Sequence, residues 1–205
     1  MSYLEKDLCL YADLIPEPSY GVALSERIRA RISFLEQGVQ NALLSPQEQE
    51  TVDEELEGSD NGLYPRLVEL AQSLDYRVED DDEVTKDILR DGRKGLRKGF
   101  VSGWMLMVKQ SSPLQKFAIL GHELAHHFTP PIQDREGQIL SESVAEGVAF
   151  VVSDHYGLDI SKQSFPHIAQ YNAGKFTQEM KEMIEIISMW MVLSLPETND
   201  TAERS

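Results

Sequence analysis

The chain has 205 residues, 35 of them Asp or Glu and 19 Lys or Arg, for a formal net charge of −16. That balance repels nucleic-acid phosphates, so direct nucleic-acid binding is not expected, and it favours basic proteins or peptides as partners. Hydrophobic content of 41%, no run near the roughly 18 apolar residues of a membrane span, no leader of the secretory type and a single cysteine, Cys9, together suggest a cytoplasmic globular protein without membrane association or a disulfide framework.

The first 60 residues read as an acidic, helical N-terminal extension. Leu4, Leu8, Tyr11 and Leu14-Ile15 give a short amphipathic stretch stopped by Pro16-Glu17-Pro18. Ser25 can cap a following helix in which Ile28, Ile32, Leu35 and Val39 form a narrow apolar stripe. Such a stripe packs on the rest of the chain or offers a docking face to a protein partner. From Ser45-Pro46 a run of acids without Lys or Arg reads as a solvated helix or linker.

Asn61-Gly62 breaks the pattern, and a main domain over residues 61–195 follows. Leu67, Leu70, Ala71 and Leu74 predict a helix, and Tyr76-Arg77-Val78-Glu79 alternates as a strand would. The basic stretch over residues 86–99 holds Lys86, Arg90, Arg93, Lys94, Arg97 and Lys98 among three glycines. The glycines argue for a loop; a nucleic-acid or anionic-partner contact is the functional alternative, against which stand the acid-rich flanks and the lack of interleaved aromatic residues on which bases stack. Residues 100–109 read as a strand pair or as one long strand interrupted at Gly103, and an edge within Trp104 to Val108 would suit an extended peptide.

Residues 117–128 carry the chemistry: Phe-Ala-Ile-Leu-Gly-His-Glu-Leu-Ala-His-His-Phe contains the H-E-x-x-H pattern His122-Glu123-Leu124-Ala125-His126. On a helix, positions i and i+4 share a face, so His122 and His126 can offer ring nitrogens to one metal ion. Glu123 then stands beside the open coordination position, where a carboxylate can take a proton from water. Phe117, Leu120, Leu124 and Phe128 recur at helical spacing, Ser111-Ser112-Pro113 suits a helix start, and Pro130-Pro131 suits its end.

Two histidines do not complete a zinc site. Downstream, Ser141 is placed to cap a helix in which Glu142 and Glu146 form an i, i+4 pair among Val144, Ala145, Val148, Ala149 and Val151. Carboxylates on so apolar a helix need something positive to meet them, and either a metal with its histidines or solvent near a helix N-terminus would serve. His155 reads as a helix-end cation with Gly157 beyond it. His167 and Tyr171 are weaker candidates for stabilising an oxyanion. Thr177 opens a last helix, its Met, Ile and Trp residues facing the core, and residues 196–205 read as a disordered tail.

The run I-L-G-H-E-L-A-H-H-F followed by E-S-V-A-E-G-V-A-F-V-V resembles the zincin-like metallopeptidases of the ImmA/IrrE group, and most closely the zincin-like domain of ArdC-type antirestriction proteins. The resemblance spans roughly residues 62–195 and is carried by the two helices. It implies an α+β zincin-like domain with a small antiparallel sheet before the active-site helix, and a second, Glu-bearing helix. It implies one Zn²⁺ per chain on His122, His126 and Glu142, with Glu123 as general base and Glu146 orienting a metal-bound histidine. The activity implied is hydrolysis of a peptide bond in a protein, a basic DNA-binding regulator by charge. The alternatives are a regulatory or antirestriction-type module without turnover, and a component of a toxin–antitoxin or phage–host conflict system that acts by binding.

Overall fold

Phe117, Leu120 and Leu124 on one stripe of the motif helix, and Phe128 in the turn just past its end, are all buried, and this sets how the chain folds around it. The computed structural model describes residues 18–44, 56–81, 104–109, 112–129 and 133–195. These form six helices and two short strands: α1 Pro18–Leu44, α2 Leu63–Ser73, β1 Tyr76–Asp81, β2 Trp104–Lys109, α3 Pro113–His126, α4 Arg135–His155, α5 Ser161–Asn172 and α6 Gln178–Ser194. Cys9, the basic stretch 86–99, Pro130-Pro131 and residues 196–205 lie outside the described residues.

Helix α4 is the centre of the molecule. Every residue from Ser143 to Ser153 is buried, which is the signature of a helix surrounded on all sides. It is flanked by α1, α3, α5 and α6. Helix α1 joins this core directly: Leu24, Ile28, Leu35 and Val39 are fully buried, and Ser25 donates to Glu185 on α6 at 2.6 Å. It starts at Pro18, seven residues before the predicted cap at Ser25, whose hydroxyl is used by Glu185 instead.

Local start and stop signals hold at several places. Ser112 caps α3 by accepting from the Gln115 amide at 3.1 Å, with Pro113 in the first turn, where its missing N–H costs nothing. Thr177 caps α6 through the Met180 amide at 3.2 Å, and α4 ends into Gly157 with φ of 74°. Helix α4, however, begins at Arg135 under an Asp134 cap, so Ser141 lies two turns inside it. Its hydroxyl, freed from capping, faces the site described below.

The architecture corrects the expected α+β class. The described residues are predominantly helical, and the small antiparallel sheet is absent from them. Instead β1 and β2 form one parallel pair, in register from Tyr76 with Trp104 to Asp81 with Lys109. Alternating hydrophobicity identifies a strand and says nothing of its pairing sense. The segment 82–103 between the strands is long enough for the crossover that parallel pairing requires, whereas a hairpin needs only a tight turn. No helix among the described residues is long and apolar enough to cross a membrane.

Candidate metal centre

The side chains of α3 and α4 meet in one cluster. His122 and His126 project from adjacent turns of α3, with their Nε2 atoms 3.1 Å apart. Glu142, from α4, brings Oε2 to 3.5 Å from His122 Nε2 and 3.7 Å from His126 Nε2. These three residues lie close enough to hold a metal ion. A tetrahedral site with bonds of about 2.0–2.1 Å has edges of about 3.3 Å, so the triangle already has the size of one face of such a site. Each side chain is 15–22% exposed, so the triangle is partly buried without being sealed from solvent.

The far nitrogen of each histidine is held as well. His122 Nδ1 lies 3.0 Å from Glu146 Oε2, and His126 Nδ1 lies 2.9 Å from Ser141 Oγ. Ser141 is fixed in turn by Thr129 Oγ1 at 2.8 Å. A carboxylate accepts and does not donate, so His122 carries a proton on Nδ1 toward Glu146, while its Nε2 faces Glu142 and His126. Glu142 and Glu146 therefore sit on different nitrogens of the same ring. One belongs to the triangle of donor atoms, and the other orients a member of it.

The electrostatics follow from packing acids against imidazoles in a buried place. Burial alone would push the His122 imidazole down, but the hydrogen bonds to Glu142 and Glu146 overcome this and raise its pKa to about 10. Glu142, which burial would raise, is held well below the usual carboxylate range by His122 and His126, and Glu146 likewise by His122 and His167. Without a cation the cluster thus keeps a proton on His122 as its positive charge. Glu123 shifts the opposite way: burial pushes its carboxyl up, Glu142 adds to this, and the two histidines oppose it. A carboxyl moved toward neutrality is better matched to proton transfer near pH 7.

The other candidates find varied places. His167, on α5, puts Nδ1 3.0 Å from Glu146 Oε2 and stacks on His122 at 6.3 Å between centroids. Tyr171 meets His167 edge-on at 5.1 Å. His155 is not the helix-end cation that its position suggests. Burial, followed by the positive charges of Arg31 and Arg27, lowers its pKa to about 4, and its Nδ1 is buried without a hydrogen-bond partner.

Three residues near the site carried no signal of their own in the sequence. Ser164 donates to Glu146 Oε1 at 2.6 Å, and Thr129 supports Ser141. Tyr76, the first residue of β1, places its hydroxyl 2.8 Å from Nδ1 of His127, the neighbour of a candidate ligand. Burial raises the Tyr76 phenol to about 12, and the Glu123 charge adds to it, so β1 delivers this ring within electrostatic reach of the motif. A second histidine after H-E-x-x-H was the only available hint of such a contact. Comparison of the chain with protein-family models, with curated proteins and with solved structures gives no match.

Proposed function

We propose that this chain is a metal-dependent hydrolase that cleaves a peptide bond in a protein substrate, with Zn²⁺ as its metal. The observation that carries the reading is the triangle of two imidazole nitrogens and one carboxylate oxygen, with edges of 3.1, 3.5 and 3.7 Å, all three of whose residues act electrostatically on the Glu123 carboxyl. Two imidazoles and one carboxylate with a position left open are the donor set of catalytic zinc. His122, His126 and Glu142 would hold the ion, which when bound supplies Lewis acidity toward water and a carbonyl. Glu123 acts as general base, taking the proton from the attacking water and returning it to the leaving amine. Glu146 and Ser141 keep the two imidazoles turned so that each presents Nε2. The formal charge of −16 favours a basic segment as substrate, because the field of the whole surface draws such a partner in.

The test is digestion of a peptide library of mixed charge by zinc-loaded protein, read by mass spectrometry, beside the Glu123→Gln variant loaded in the same way. Cleavage by the wild type that falls at least a hundredfold in Glu123→Gln, with basic peptides consumed first, is expected. Equal zinc occupancy in both proteins with cleavage by neither would replace the hydrolase by a metal-holding module without turnover.

A further inference from the structure

Glu146 is only 8% exposed, and its carboxylate is met by three donors drawn from two helices. One oxygen accepts the Ser164 hydroxyl at 2.6 Å, and the other accepts His122 Nδ1 and His167 Nδ1, each at 3.0 Å. Ser164 and His167 are three residues apart and so share one face of α5. Ser164 is fully buried. An anion this deep is costly unless donors surround it, and two of its three donors come from a helix that contributes nothing to the metal triangle itself.

Helix α5 is braced from both sides. Phe165, between the two donors, meets Phe34 of α1 edge-on at 5.9 Å and Phe150 of α4 at 5.1 Å. Gln163 accepts from Gln115 of α3 at 3.3 Å, and Gln40 of α1 donates to the Gly174 carbonyl just past the helix end. The position of Ser164 and His167 is therefore set by three neighbouring helices rather than by local chain flexibility.

We propose that Ser164 and His167 are positioning residues of the metal centre, clamping the Glu146 carboxylate against His122 so that α5 sets how tightly and in what geometry His122 Nε2 meets the ion. The inference rests on His122, His126 and Glu142 holding a metal. Removing either donor leaves Glu146 able to rotate about its own side chain, and His122 then loses its fixed tautomer and ring angle. Losses of about ten- to a hundredfold in metal affinity follow when such outer partners of a ligand are removed.

The experiment is titration of metal-free protein with Co²⁺, followed by its visible absorption bands, which report ligand geometry without any need for activity. Ser164→Ala removes one donor, and His167→Phe keeps a ring without the other. Both should weaken Co²⁺ binding at least tenfold and change the absorption bands. His167→Asn places an amide N–H close to where Nδ1 stood, and should recover affinity to within about threefold of wild type. Wild-type affinity and spectrum in both Ser164→Ala and His167→Phe would overturn the clamp. A wild-type protein that binds no Co²⁺ would instead overturn the metal site on which the clamp depends. If Ser164→Ala fails to fold by circular dichroism, the comparison of His167→Phe with His167→Asn decides, since both act at a side chain that is 28% exposed.

Discussion

His122 stands between two carboxylates that use different nitrogens of its ring, and the two acids should respond differently to the same change. Glu142→Gln removes a charged donor from the triangle and should abolish tight zinc binding. Glu146→Gln leaves the triangle intact and should weaken binding by about ten- to a hundredfold, measured by competition with a chromophoric chelator. The reverse order would exchange their roles. The proton on His122 gives a second expectation. In the metal-free protein this imidazole is raised to about 10, so a cation must displace a proton throughout the neutral range. Apparent zinc affinity should therefore rise about tenfold per pH unit between roughly pH 6.5 and 9. Stability of the metal-free fold should run the other way. A histidine raised above its unfolded value of 6.5 contributes fully below that pH, and its contribution is lost as pH climbs toward about 10. His155 limits the acid side. Its pKa, lowered to about 4, supplies stability that is present above pH 6.5 and is lost as pH falls through 4. Urea denaturation of chelator-treated protein at pH 5, 7 and 9 checks both signs.

At the scale of the element, two glycines in the site helices predict opposite outcomes for one substitution. A methyl built on Gly121, in α3 beside His122, would meet nothing closer than 3.9 Å, which is ordinary contact. Gly121→Ala should therefore stabilise by about 1 kcal/mol through helix propensity. A methyl built on Gly147, in α4 beside Glu146, would stand 2.5 Å from the Ile184 terminal methyl, with Leu35 3.4 Å away. Both neighbours are fully buried, so overpacking of about 1–3 kcal/mol outweighs the same propensity gain, and Gly147→Ala should lower Tm where Gly121→Ala raises it. The elements also show what the sequence could reveal. Spacing within a single helix was readable: His122 with His126, the Ser112 and Thr177 caps, and Gly157 all depend on neighbours within about one turn. Ser141 misled because a short hydroxyl suits a cap and a buried hydrogen bond equally well, and the Asp134 cap left it free to reach His126. The contacts of Glu146 with residues 18 and 21 positions onward, and the parallel pairing of β1 with β2, are tertiary facts with no periodic trace. His155 was unreadable for the same reason, since Arg27 and Arg31 reach it from the far end of the sequence.

For the whole molecule, the metal triangle joins α3 to α4, so an ion bound there ties together two elements of the central core. Anything bound only by the folded state stabilises it by mass action, about 4 kcal/mol when free ligand stands at about a thousand times its Kd. In a chain of this size that corresponds to a rise in Tm of about 8–16 °C. Differential scanning calorimetry with zinc and with chelator should show the difference, and a Tm indifferent to zinc would mean that the triangle does not take the ion. Helix α1 carries a further consequence. Its buried face packs on α4, α5 and α6, so the first described helix is completed by some of the last residues of the chain. During synthesis, a ribosome that has just released His155 has exposed all three candidate ligands, while two of the three donors to Glu146 and most of the cover for Leu24, Ile28 and Leu35 are still to come. The nascent chain must therefore carry an open apolar helix until α6 emerges, which leaves α1 exposed to non-native contacts through much of synthesis.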